Sequence, residues 1–167
     1  GEASSSLDYG RFTLELSSST TENGGVNVFS VTLQSGSTGF FAQPIGTSTV
    51  TTSSLGNWAH YAFSFVSAAA GVTSRLYIDG DLNEKKTLGS AGVNEIGGLI
   101  NGYIGALRTT PSGNVYHGTT LTGAGKLSAS LDEFRFWKKR RTSEQIYNNW
   151  HRHVGGGTNS DDANVSL

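Results

Sequence analysis

Short runs in which apolar and polar residues alternate constrain the fold of this chain more than any other feature. Phe12, Leu14 and Leu16, for example, alternate with Thr13 and Glu15. Alternation with a period of two places one set of side chains on one face of a β-strand. The same pattern, punctuated by Gly, Ser, Asn and Thr, predicts strands at 12–16, 27–33, 39–45, 47–53, 59–66, 75–78, 100–107 and 131–137.

One turn and one helix complete the prediction. Asp79-Gly80 suits the positive φ angles of a tight hairpin turn. Thr142 and Gln145 have the spacing of a capping box, and Ile146 and Trp150 form a narrow apolar stripe before the glycines at 155–157. A single short C-terminal helix among many strands favours an all-β fold, a two-sheet antiparallel jelly-roll sandwich.

Composition limits the classes of protein that fit. The 167 residues suit one domain, 1–167, and the absence of any Met leads us to expect a piece of a longer chain. A net charge of −1 argues against nucleic acid as a partner, and no apolar run approaches the roughly 20 residues of a membrane span. The lack of cysteine excludes disulfides and thiolate metal sites.

Three stretches, in order, resemble the concanavalin A-like jelly rolls of the laminin-G-like and pentraxin type. The segment at 12–16 is similar to their "FTxE" strand, and 58–62 with 76–80 to their "WxHVA … LYVDG" pair. The segments 131–137 and 142–146 are similar to "IDEVRIWN … LSxEEI". The resemblance spans roughly 11–150. It implies a jelly-roll sandwich whose shared positions are structural and say little about the ligand.

Two further features concern the parent protein. The segment 155–162 resembles segments of bacteriophage tail-fibre and virion structural proteins. Domains of the resembled family usually have a strand before the "FTxE" segment and a closing strand after the helix, whereas only 1–10 and 155–167 are available here. We therefore expect an open sheet edge that flanking sequence or another subunit completes.

The enzyme hypothesis is a glycoside hydrolase, because laminarinase-type hydrolases share the jelly roll. Their catalytic carboxylates lie in a Glu-x-Asp-x-x-Glu run, which this sequence lacks. Asp132 and Glu133 are adjacent, so a strand would point them to opposite faces. We predict no catalytic residues and keep the hydrolase as the third alternative.

Calcium is the one cofactor that the sequence suggests. The segment 79–83 has the start of a calcium-loop spacing, but Glu84 and Ser90 occupy the positions that require Gly and Glu. The densest oxygen cluster is Asp161, Asp162 and Asn164, which is either a calcium site or a polar turn.

Isolated histidines and one basic run have simpler interpretations. We expect His60 to be a hydrogen-bonded structural residue, and His151 with His153 supplies only two ligands for zinc. The run 138–141 is either a solvated turn or a contact to an anionic glycan or partner.

A sugar site needs an exposed aromatic ring flanked by amide, carboxylate or guanidinium groups. One long loop and a neighbouring strand supply these types: Asn101, Tyr103, Arg108, Asn114, Tyr116 and His117. Function concentrates on long loops, although Tyr103 in the core and Tyr116 over a sheet edge would be the structural alternative.

These observations favour a non-catalytic, lectin-like adhesion module of an extracellular or virion surface protein. Its partner would be a glycan or cell-surface polysaccharide. The alternative is a structural domain that packs against other subunits of its parent assembly without binding sugar.

Overall fold

The computed structural model of the chain describes residues 10–16, 29–36, 38–47, 50, 54–94, 103–105, 127, 129–137 and 139–152. The strands are β1 (Gly10–Leu16), β2 (Phe29–Ser35), β3 (Thr38–Ile45), β4 (Tyr61–Ala68), β5 (Gly71–Ile78) and β6 (Asp81–Leu88). A 3₁₀ turn occupies Ser54–Gly56, and the helix α1 spans Ser143–Asn149. None of the helices in these ranges has the length and apolar character needed to cross a bilayer.

The strands form two antiparallel sheets of three strands each, ordered β1-β2-β3 and β4-β5-β6. The register pairs Phe12 with Leu33 and Leu14 with Val31 in the first sheet, and Phe63 with Leu76 in the second. Every pairing joins strands that are consecutive in the sequence, so local hairpins build both sheets. The predicted all-β, two-sheet architecture with one short helix is confirmed.

The core lies between the two sheets. Its buried side chains are Phe29, Val31, Phe40, Ile45, Val50, Val72, Leu76 and Leu88. Phe29 packs against Tyr61 and Phe63 with ring centroids 5.2 Å apart in both pairs. Phe29 with Val31, and Val72 with Leu76, are separated by even numbers of residues on their strands, so the alternation in the sequence contributes to the core. Phe40 is buried while Phe41 is partly exposed, as their adjacency in a strand requires.

The first strand is only half covered. Phe12 packs edge-on against Phe65 at 5.1 Å, yet Phe12, Leu14 and Leu16 stay 50%, 37% and 40% exposed. Among the described residues, β1 pairs with β2 alone, so no described strand is hydrogen-bonded to its other backbone edge. Thr13, on the opposite face, is buried.

The predicted hairpin turn between β5 and β6 is confirmed. Asp79 and Gly80 both have positive φ angles, 49° and 89°, as a type I′ turn requires. The strand that follows this turn, β6, was not among the predicted strands because its residues are mostly polar.

Polar side chains of β6 join the two sheets. Glu84 accepts a hydrogen bond from the backbone N–H of Gly46 at 2.6 Å, and Asn83 accepts one from that of Thr47 at 2.9 Å. Lys86 donates to the carbonyl of Pro44 at 3.0 Å. These side chains form hydrogen bonds with backbone groups at the end of β3. The polar residues of β6 therefore hold the strand in place without an apolar alternation.

The predicted helix is confirmed with its capping box. Thr142 is the N-cap, its hydroxyl accepts from the Gln145 N–H at 3.2 Å, and the Gln145 side chain accepts from the Thr142 N–H at 3.0 Å. Ile146 and Trp150 are the more buried positions along α1 and its cap. The helix ends at Asn149, earlier than the glycines at 155–157 suggested.

The prediction of a strand at 131–137 is wrong. Glu133 has a φ of 52°, which interrupts an extended chain, and its N–H bonds to the Asp132 carboxylate at 2.9 Å. Arg135 and Trp137 interact instead with α1 and with Arg141. The predicted strands at 47–53 and 100–107 lie largely outside the described residues; their described members, 47, 50 and 103–105, are not in strands.

Candidate ligand-binding site

Most of the predicted sugar and calcium sites lies outside the described residues. Of the predicted sugar ligands only Tyr103 is described, with its side chain 52% exposed. The residues outside the described ranges are Asn101, Arg108, Asn114, Tyr116, His117, Asp161, Asp162 and Asn164. Within the described ranges no group of three or more His, Cys, Asp or Glu could hold a metal ion.

The structure instead forms a cleft where the β5–β6 turn meets the end of α1. We call it the hairpin–helix cleft; its volume is about 430 Å³. Its lining residues are Asp79, Asp81, Tyr147, Asn148, Trp150, His151 and Arg152. The cleft therefore combines an aromatic wall with carboxylate, amide, imidazole and guanidinium groups.

Asp79 holds one wall of the cleft in place. Its carboxylate accepts a hydrogen bond from the His60 backbone N–H at 2.8 Å, and its own N–H donates to the His60 carbonyl at 2.9 Å. This reciprocal pair ties the turn to the residue that precedes β4. The Asp79 carboxylate therefore has a structural partner, while Asp81 stands exposed beside it.

Gly80 allows α1 to approach the turn. A Cβ at Gly80 would lie 2.8 Å from Trp150 Nε1 and 3.2 Å from Tyr147 Cα. No side chain other than hydrogen fits there without displacing the helix. The other end of the helix is fixed by a hydrogen bond of 2.9 Å between the hydroxyls of Tyr77 and Ser143.

Arg135 fastens the C-terminal end of α1. Its guanidinium donates to the carbonyls of Asn149, at 3.4 Å, and Arg152, and forms an ion pair with Glu133 at 3.1 Å. Carbonyls at a helix C-terminus lack intrahelical partners and carry partial negative charge, which a cation stabilises. The 131–137 segment therefore holds the C-terminal end of α1 in place beside the cleft.

The rings of His60 and His151 cluster around Trp150, which lines the cleft. The Trp150 ring lies 6.1 Å from the His60 ring and 5.5 Å from the His151 ring. Burial, and then the Arg135 guanidinium, lower the pKa of His60, while the Asp79 carboxylate acts in the opposite direction. Burial, and then Asp79, raise the pKa of Tyr61. The interior of this region therefore favours neutral His60 and neutral Tyr61.

His60 is a hydrogen-bonded residue, as predicted, through its backbone N–H and carbonyl. Its imidazole lies beside the Trp150 ring, and the buried Nδ1 has no hydrogen-bond partner among the described residues.

The groups that face solvent have the chemistry of a sugar site. Tyr147 is 57% exposed and offers a ring for stacking against the apolar face of a pyranose. Asp81, Asn148 and Arg152 can exchange hydrogen bonds with ring hydroxyls as acceptors and donors. The cleft is held by β5, β6 and α1 rather than by a long loop, so its geometry is preorganised.

Sequence reasoning missed this cleft, although a signal was present. Tyr147, Trp150 and His151 follow the i, i+3, i+4 spacing that places side chains on one helix face. Nothing local indicates that this face meets the Asp79-Gly80 turn, because the contact joins segments far apart in the sequence.

Comparison with known proteins places the chain at family level. The family model described as the concanavalin A-like lectin/glucanases superfamily matches residues 4–147. No curated protein and no solved structure matches the chain significantly.

Proposed function

Because the chain belongs to the concanavalin A-like lectin/glucanases superfamily, we propose that it is a non-catalytic, lectin-like module that binds glycans through the hairpin–helix cleft. The observation that carries this proposal is the exposed ring of Tyr147 beside the hydrogen-bonding groups of Asp81 and Asn148. An aromatic platform with a few convergent polar groups is the usual make-up of a small-ligand site.

One feature of the sequence supports the non-catalytic part of the proposal. The sequence lacks the Glu-x-Asp-x-x-Glu run of laminarinase-type hydrolases. Release of reducing sugar from any bound glycan would contradict this part of the proposal.

We further propose that the module is displayed on an extracellular or virion surface, with a bacteriophage tail-fibre or virion protein as one candidate parent. Its glycan would then be a cell-surface polysaccharide. The low charged fraction of 15% and the many Gly, Ser and Thr residues suit such a module. Calcium, if it takes part, would be held by Asp161, Asp162 and Asn164.

A glycan array tests the proposal. The purified chain would be applied with calcium and, separately, with a chelator; selective, saturable binding is expected, and its loss under chelator would indicate a calcium site. A blank array in both conditions contradicts the proposal and favours the structural, subunit-binding alternative. The half-exposed apolar face of β1, formed by Phe12, Leu14 and Leu16, is the observation that favours this alternative.

Two tyrosine variants locate the site. Tyr147→Ala removes the exposed ring of the hairpin–helix cleft, and Tyr103→Ala removes a ring of similar exposure from the loop site predicted from sequence. We expect Tyr147→Ala to weaken binding at least about tenfold, since stacked aromatic contacts dominate such sites, and Tyr103→Ala to bind like the wild type. The reverse pattern would move the site to the loop.

A further inference from the structure

A second cleft lies at the opposite end of α1, where the helix begins. We call it the arginine cleft; its volume is about 180 Å³. Its lining residues are Arg75, Tyr77, Arg140, Arg141, Thr142 and Ser143. Three arginines and three hydroxyl-bearing residues therefore line a small volume.

The sheet and the helix hold this cleft open. Arg75 and Tyr77 are two residues apart on β5 and share the face of the sheet that α1 covers. The hydrogen bond between Tyr77 and Ser143 fixes the helix against that face. Arg141 stacks on the Trp137 ring with its guanidinium carbon 3.7 Å from the ring centroid. Stacking covers one flat face of the guanidinium group and leaves the N–H groups at its edge available to bind an anion.

One nitrogen of Arg75 and a neighbouring hydroxyl have no hydrogen-bond partner among the described residues. They are the buried Nη1 of Arg75 and the Oγ of Ser64, the residue paired with Arg75 across the β4–β5 ladder. A desolvated guanidinium nitrogen without a partner is costly unless a ligand compensates it.

The charges in the cleft are uncompensated as well. Among the described residues, no acidic side chain lines the cleft, and none of its three arginines forms an ion pair. Lys85 faces Arg75 across the β5–β6 ladder and adds positive charge. Like charges held this close repel one another, and an anion in the cleft would relieve that repulsion.

We propose that the arginine cleft binds the carboxylate or sulfate group of an acidic polysaccharide. This inference rests on the proposed glycan-binding function. The two clefts flank the seven-residue α1, so about 10 Å of helix separates them. A polysaccharide with one sugar stacked on Tyr147 is long enough to span this distance and reach the arginine cleft. We therefore argue for a polysaccharide rather than an acidic peptide.

Isothermal titration with four probes tests the inference. Tetragalacturonic acid carries carboxylates, a heparin tetrasaccharide carries sulfates as well, maltotetraose is neutral, and hexaglutamate is an acidic peptide. We expect at least one acidic tetrasaccharide to bind about tenfold more tightly than maltotetraose. Comparison of tetragalacturonic acid with the heparin tetrasaccharide identifies the preferred anionic group.

Variants connect that preference to the cleft. Arg140 is exposed, so Arg140→Gln and Arg140→Lys should fold, as thermal unfolding would verify. We expect Arg140→Gln and Arg75→Gln each to weaken acidic-probe binding about tenfold, since a charge-assisted bidentate pair is lost. Arg140→Lys should also weaken it, because lysine keeps the charge but lacks the planar fork. Arg11→Gln, on β1, is the matched control and should bind like the wild type.

Several results would overturn the inference. Unchanged acidic-probe binding in Arg140→Gln and Arg75→Gln would do so, and so would equal binding by Arg140→Lys and the wild type. Tighter binding of hexaglutamate than of either acidic sugar would reassign the cleft to a peptide. If only Tyr147→Ala loses glycan binding, the inference about the arginine cleft is wrong and the proposed function is supported. If only the arginine variants lose it, the arginine cleft is supported as the binding site and the hairpin–helix cleft is excluded.

Discussion

Gly80 lies against the indole of Trp150, beside its Nε1 atom, and this contact joins the β5–β6 turn to α1. Glycine is required there twice, because its φ is 89° and because a Cβ would lie 2.8 Å from Trp150 Nε1. The geometry of the hairpin–helix cleft depends on this close approach.

We predict that Gly80→Ala lowers the free energy of unfolding by at least about 2 kcal/mol, since it adds steric overlap to a strained backbone. Alanine variants of two other glycines distinguish the steric overlap from the backbone strain. Gly105 has a φ of 80° with open space around it, so Gly105→Ala should cost about 1 kcal/mol, whereas Gly56→Ala, with neither constraint, should cost little. Urea unfolding of the three variants measures the differences, and equal losses would contradict the role given to Trp150.

The carboxylate of Asp79 should matter to stability as well as to the cleft. Asp79→Ala removes the acceptor for the His60 N–H and also places alanine at a φ of 49°, so we expect a loss of at least about 1 kcal/mol. Asp81→Ala, two residues away and exposed, is the matched control and should change stability by less than about 0.5 kcal/mol. Equal effects of the two variants in urea unfolding would show that the bond contributes nothing.

Features set by neighbouring residues were predictable from the sequence. The Asp79-Gly80 turn and the Thr142–Gln145 capping box involve residues at most three apart, and their dipeptide and spacing patterns are specific. The alternation in β2 and β4 likewise predicted their strands, because a two-sheet core uses every second side chain.

Features set by distant contacts were not predictable. The strand β6 keeps polar residues such as Glu84 because they bond the backbone after β3, some 38 residues away in the sequence. The alternating segment 131–137 predicted a strand, yet Arg135 bonds the end of α1 instead. Both clefts arise where α1 meets β5 and β6, a juxtaposition that no local pattern specifies.

The capping box predicts a graded effect at the start of α1. Thr142→Ala removes the acceptor for the Gln145 N–H and should cost about 1 kcal/mol, while Thr142→Ser keeps the hydroxyl and should cost less. Thermal unfolding of both variants compares them. If serine and alanine are equally destabilising, the hydroxyl is not the group that matters.

The lowered pKa of His60 predicts how the stability of the fold depends on pH. Its pKa in the folded chain is lowered from 6.5, so below about pH 6.5 the unfolded chain binds a proton that the folded chain does not. The unfolded state then holds more protons, and stability is lost as the pH falls from about 6.5 toward the lowered pKa. We expect His60→Gln to reduce this slope in urea unfolding between pH 7 and pH 5. His151→Gln, which removes an exposed imidazole, is the control, and a slope unchanged by His60→Gln would contradict the assignment.

The most direct test of the central claim is a titration of the ¹⁵N-labelled chain with an oligosaccharide selected on the glycan array, followed by amide chemical shifts. If the hairpin–helix cleft binds the glycan, saturable shifts occur at 79–81 and 147–152, which contain the residues that line it, and are lost in Tyr147→Ala. Shifts confined to 101–117, or an unchanged response in Tyr147→Ala, would contradict the central claim.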